Sequence, residues 1–128
     1  MNEFIYFIRK SIDSKEALTP KLHHEFLKSC EIYINKLIEQ GRLISAQPLL
    51  RNGKIISYKS ELWSEKEVNI SNKIIGGYYH ILANDLQEAV SIAKENPEFV
   101  YNRDIEIEVR PIKMKEETTE FVYPISKG

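Results

Sequence analysis

The chain has 128 residues, with 18 Lys and Arg against 19 Asp and Glu for a formal net charge of −1, and is 42% hydrophobic and 29% charged. These values describe one ordinary globular domain, long enough to bury about two thirds of its unfolded surface, and without the basic excess of a nucleic-acid binder. The single cysteine excludes an internal disulfide. With no N-terminal signal pattern, no apolar run of about 18 residues and no clustered Cys/His spacing, the expectation is a reducing cytoplasmic location, with no membrane span, no structural zinc and no cofactor.

The segment "EFIYFIR" (3–9) is aromatic, β-branched and apolar on both faces, which predicts an interior strand covered on both sides. A polar connection, "SIDSKEAL", follows. Thr19 and Pro20 then have the chemistry of an N-cap and a first helical residue, and Gly41 that of the residue ending the helix after about Gln40. On a helical wheel Leu22, Phe26, Leu27, Cys30, Tyr33, Ile34, Leu37 and Ile38 form one wide apolar face, with Cys30 in its middle as an inert, buried thiol.

"RLISAQPLL" (42–50) predicts a second strand. Asn52-Gly53 is the pair a type I′ turn favours, so "KIISYK" (54–59) is expected to fold back on that strand as a hairpin. The polar "SELWSEKEVNISN" predicts a long loop, with a short strand at 68–70, and carries the only tryptophan, Trp63, as a lid or a dimer anchor. "KIIGGYYHILA" (73–83) is the next long strand. Its adjacent Gly76 and Gly77 imply a bulge or a close approach by another backbone, side chain or ligand, with the first helix or a partner subunit as the expected neighbour.

Asn84 and Gln87 suggest a capping box opening a second helix, whose buried side is Leu86, Ala89, Val90 and Ala93 and which Asn96-Pro97 stops. "IEIEVRPI" (105–112) alternates, with Ile105, Ile107 and Val109 on one face and Glu106, Glu108 and Arg110 on the other. A charged tail, 113–128, ends in "EFVYPI", a candidate short strand.

Strand, helix, strand, hairpin, strand, helix, strand predicts an α+β domain over 1–128, with its core in about 3–112. Its sheet is ferredoxin-like and antiparallel, with two helices on one face and an inserted β-hairpin. The second face of that sheet is also apolar, so a homodimer packed sheet to sheet in a dimeric α/β-barrel arrangement is expected.

"GRLISAQPLL", the "NGK" turn, "KIIGGYYHILANDLQEAVSIAKENP" and "IEVRPI" resemble the YCII-related family, also called DGPF-domain proteins, over nearly the whole chain from Phe4 to Ile112. The resemblance implies the same dimeric α/β-barrel fold and no settled activity. Some members are proposed to be enzymes with a His on the first helix and an Asp just before the proline that ends the second. This chain has Ser29 and Cys30 near the first position and Asn96 at the second, and the DGPF motif falls on "EKEV" (65–68).

Two function classes follow. The first is a homodimeric domain binding a small ligand or another protein, with Gly76, Gly77, Tyr78, His80 and Arg110 in a cleft or on the dimer face. The second is a lyase- or hydrolase-like enzyme. Its general base would be His23 or His24, kept neutral near a helix N-terminus, with Glu106 or Glu108 as the partner acid. The plainer reading makes His23 and His24 partly buried hydrogen-bonding groups, His80 an interface residue, and Glu106, Glu108 and Arg110 an ion-paired row.

Overall fold

The computed structural model of the chain describes residues 1–11, 18–68, 73–102 and 104–123. The elements are β1 (Asn2–Ser11), α1 (Pro20–Glu39), β2 (Leu43–Pro48), β3 (Lys54–Lys59), β4 (Leu62–Glu67), β5 (Lys73–Ala83), α2 (Leu86–Lys94), α3 (Glu98–Tyr101) and β6 (Glu106–Pro111). The molecule is α+β. Four strands form an antiparallel sheet in the order β2-β5-β1-β6, and β3 and β4 form a separate two-stranded ribbon.

The central pair is β1 and β5, where Tyr6 stands opposite Tyr79 and Phe4 opposite Ile81. Residues directly opposite in register share a face. One face therefore carries Phe4, Tyr6, Ile8, Tyr79 and Ile81, all buried under Tyr33 and Leu37 of α1 and Ala89, Ile92 and Ala93 of α2. Two phenols bind α2 down, the Tyr6 hydroxyl donating to the Ala89 carbonyl and the Tyr33 hydroxyl to the Ile92 carbonyl at 2.8 Å. Burial pushes both phenol pKa values above the ordinary tyrosine value.

Helix α1 starts where its cap chemistry says. The Thr19 hydroxyl accepts from the Leu22 N–H at 3.2 Å, and Pro20 occupies the first turn. It ends in a Schellman motif. Gly41 takes φ +69°, its N–H donates to the Ile38 carbonyl at 2.9 Å, and the Arg42 N–H donates to the Leu37 carbonyl at 2.8 Å. Of the predicted apolar face Phe26, Tyr33 and Leu37 are buried, whereas Leu22, Leu27 and Ile38 stay exposed.

Several expectations need correction. The hairpin does not join β2 to β3 through Asn52-Gly53. β2 pairs with β5 instead, and β3 turns at Ser60-Glu61 (φ 50° and 65°) into β4, which occupies part of the expected loop. The turn keeps the two positive φ values a type I′ hairpin needs but fills them with residues other than glycine or asparagine. All six residues of β4 are exposed, so no face alternation marks it as a strand. Trp63 accordingly lies on a strand, its ring packed against Tyr58 at a 53° tilt with centroids 4.8 Å apart.

The second helix is capped one residue later than expected. Asp85 accepts from the Glu88 N–H at 2.8 Å, and Glu88 reaches back to accept from the Asn84 N–H at 2.9 Å. Its buried side also differs from the expected one: Ile92 is buried and Leu86 exposed. A short unexpected helix, α3, begins directly after Pro97. In the tail, Val122 forms an isolated bridge with Lys115. Most of the polar connection (12–17), residues 69 and 70 of the expected short strand, and the last two residues of "EFVYPI" lie outside the described residues.

A cleft between the first helix and the glycine strand

The glycine pair sits where β1 and β5 lose register. Ile8 faces Gly77 and Arg9 faces Ile75, so Gly76 is the extra residue of a β-bulge. A Cβ on Gly76 would meet the aliphatic stem of Lys10 at 3.1 Å, and a Cβ on Gly77 would meet the backbone carbonyl oxygen of Gln47 at 3.1 Å. Within the chain, the atoms that crowd these positions belong to a side chain of β1 and the backbone of β2, rather than to α1.

Beside this bulge the underside of α1 stands clear of the sheet and leaves a cleft of about 630 Å³, within the usual size range of small-molecule sites. Phe26, Leu27, Cys30 and Ile34 of α1 form one wall, and Ala46, Gln47 and Pro48 of β2 with Gly76, Gly77, Tyr78 and Tyr79 of β5 form the other. Ile8, Lys10 and Glu98 add to the lining, and His23, Glu31 and Asn35, all exposed on α1, complete it.

The floor is polar and electrically balanced. Lys10 Nζ lies 3.6 Å from Glu98 Oε2, with the Glu98 side chain 11% exposed. The Asn102 amide donates to the other Glu98 oxygen. Burial pushes the Cys30 thiol up to about 11, with the Glu98 charge adding to the rise and Lys10 opposing it, so at neutral pH it is a protonated thiol. Burial likewise pushes the Tyr79 phenol up to about 12. Cys30 and Glu98 reinforce that shift, and the Asn96 amide beside the hydroxyl pulls against it. Asn96 is 1% exposed, and its Oδ1 accepts from the Glu98 N–H at 2.9 Å. Its Nδ2 completes no hydrogen bond, an uncommon state for a buried donor.

The remaining predicted residues divide between two faces. Gly76, Gly77 and His23 meet on the cleft, which Tyr78 also borders although its hydroxyl pairs with Ser45 on the other face. His24 is exposed on α1. His80 lies on the opposite face of the sheet, its Nε2 2.6 Å from Glu3 Oε1, beside a Ser45–Tyr78 hydroxyl pair 2.9 Å apart. Glu106 is paired with Lys73, which holds its carboxyl below the usual range. Glu108 lies 3.4 Å from Arg9 and 3.8 Å from Arg110. Glu106 and Glu108 are thus ion-paired on the last strand, away from the two helix histidines. The floor residues Lys10, Asn96 and Glu98 were not singled out as a group by sequence reasoning. Their one sequence signal is that the position before Pro97 is the one where the YCII-related pattern has its acid.

Among the described residues no group of three or more His, Cys, Asp or Glu could hold a metal ion, and no helix is long and apolar enough to cross a membrane. No family model matches the chain, and the search of curated proteins gives no match.

Proposed function

We propose that this chain is a small-ligand-binding domain of YCII-related type, ferredoxin-like in topology, which works as a homodimer packed through the helix-free face of its sheet in a reducing, cytoplasmic compartment. The observation that carries the binding role is the cleft, with apolar walls, a polar floor and a glycine bulge at its side. Support for the topology comes from the strand order β2-β5-β1-β6, with one helix following β1 and another following β5. Support for the dimer comes from the second face, where Ile5, Phe7, Tyr78 and Leu82 are only half-buried and Ile75 is 44% exposed.

Binding is tested with Nile red, a neutral dye whose emission rises in apolar sites. One saturating site per chain is expected, weakened at least fivefold by Ala46→Phe, which fills the wall. A dye response indifferent to that substitution removes the cleft from the argument. For the dimer, light scattering at micromolar concentration gives about twice the 15.0 kDa chain mass, and Phe7→Glu returns it to one. A wild-type monomer at that concentration refutes sheet-to-sheet pairing.

The enzyme reading has one observation in its favour, the His80–Glu3 pair at 2.6 Å, the His–carboxylate geometry general-base chemistry requires. The pair lies across the sheet from the cleft, and within a dimer it would face the partner.

A further inference from the structure

Asn52-Gly53 has the chemistry of a tight hairpin turn, yet the fold does not use it as one. β2 and β3 belong to different sheets, and the pair lies in the irregular connection between them. Asn52 is exposed, and neither its side chain nor the Gly53 N–H completes a hydrogen bond with another described residue. The other described asparagines are held back. Asn2, Asn84 and Asn102 donate through their side-chain amides. Asn35 lies inside α1, where the next N–H belongs to the helical ladder. Asn96 precedes Pro97, which has no N–H. Asn52 is followed by glycine, whose N–H no side chain of its own shields. The pair also sits at the root of the β3–β4 ribbon. The Gly53 carbonyl accepts from the Val68 N–H at 3.2 Å, and the next rung sets Lys54 opposite Glu67, with their side chains paired.

We propose that Asn52 is a site of spontaneous covalent modification, converted by water to aspartate and isoaspartate, and that this conversion opens the ribbon from its root. The Gly53 nitrogen, its proton lost to hydroxide, bonds to Cγ of Asn52. The Cγ–Nδ2 bond breaks, and Nδ2 leaves as ammonia with a proton from water, closing a cyclic imide. Water then opens the ring. Cleavage at Cγ leaves aspartate; cleavage at the backbone carbonyl carbon leaves isoaspartate, with the main chain now running through the side chain. Either product adds a negative charge beside Arg51 and near Lys54. Isoaspartate also lengthens the backbone by one carbon just before Gly53, which displaces its carbonyl from the Val68 N–H while the four-stranded sheet keeps its register.

The test ages the intact chain at mildly alkaline pH and follows it by peptide mass mapping and by NMR amide exchange. Position 52 is expected to exchange the mass of an amide for that of an acid at least about tenfold faster than any other described asparagine, and faster still as the pH rises. Its product should accept a methyl group from S-adenosylmethionine through an isoaspartyl methyltransferase. In the converted chain the Val68 amide should exchange about fivefold faster, the value of one hydrogen bond, with the amides of Tyr6 and Ile81 unchanged. Asn52→Gln, whose longer side chain closes such a ring far less readily, should show neither change on ageing. Conversion at Asn52 no faster than at Asn84, or fast only after the chain is unfolded in urea, overturns the site. A converted chain whose Val68 amide exchanges as before, or an equal rise in aged Asn52→Gln, overturns the link to the ribbon.

Discussion

Gly76 and Gly77 are adjacent in sequence, yet the structure assigns them different reasons for being glycine, and alanine at each position separates the two. Neither residue has positive φ, so backbone strain does not enter and only the space around the new methyl counts. At Gly77 the methyl meets the Gln47 carbonyl oxygen at 3.1 Å and the Pro48 Cα at 3.4 Å. Both belong to the backbone of a strand held in register with β5, and proline stiffens it further. Overpacking against atoms that cannot move costs about 1–2 kcal/mol. For a chain of this length that is a fall in Tm of about 3–10 °C. At Gly76 the nearest atoms are three carbons of the Lys10 side chain, the closest at 3.1 Å. A flexible stem can swing by a few tenths of an ångström, and replacing glycine by alanine also restricts the unfolded chain, worth about 0.4–1 kcal/mol of stability. Gly76→Ala is therefore expected within about 3 °C of the wild type, in either direction. Thermal unfolding of both variants followed by far-ultraviolet circular dichroism decides the matter. Equal destabilisation by the two substitutions, or a neutral Gly77→Ala, would refute the packing account of the bulge.

Three further outcomes follow from the pKa shifts and hydrogen bonds. Burial holds Tyr6, Tyr33 and Tyr79 above the ordinary value of 10.0, so the folded chain retains protons that the unfolded chain releases. Their contribution is complete below pH 10 and declines as the pH climbs towards the folded values. Denaturant titrations between pH 9 and about 12 should show that decline. Tyr33→Phe should make the slope shallower and cost about 1 kcal/mol at neutral pH through the lost bond to Ile92, and an unchanged slope would count against it. Glu88 has the opposite sign. The Asn84 N–H and Arg42 hold its carboxyl below 4.5, so its contribution is present above that pH and lost on acidification, and Glu88→Gln should flatten the acid limb of the stability curve. Alkylation of Cys30 by iodoacetamide should be slow at neutral pH and rise about tenfold per pH unit up to about 11. A plateau near pH 8.5, where an unperturbed thiol levels off, would mean the thiol is not held in the cleft wall.

How much of this was legible depended on whether a signal was local. β1, α1 and β5 carry theirs in their own residues: two-sided apolarity, a Thr-Pro start with a glycine end, and a long β-branched run broken by two glycines. β4 had no such mark, because both faces of the ribbon meet water and Leu62–Glu67 mixes apolar and charged residues without period. Asn52-Gly53 misled because turn propensity acts on two residues, whereas the pairing of β2 was decided by what it could cover on β5. The glycine pair pointed correctly to a crowded place and did not say what crowds it. The floor of the cleft was out of reach for a different reason. Lys10 comes from the end of β1, Cys30 from α1, Tyr79 from β5, Asn96 from the turn after α2 and Glu98 from the start of α3. Only the folded sheet brings them to one spot.

The β3–β4 ribbon gives the chain an unusual spectroscopic signature. Its only tryptophan is Trp63, which is 73% exposed on a two-stranded unit hydrogen-bonded apart from the main sheet. Such ribbons are marginal by themselves and open below the global free energy. Intrinsic fluorescence excited at the indole band therefore follows the fraying of this appendage rather than the melting of the layers around Tyr6 and Ile81. A fluorescence transition that precedes the dichroic one is the sign of two cooperative units in a chain of single-domain length.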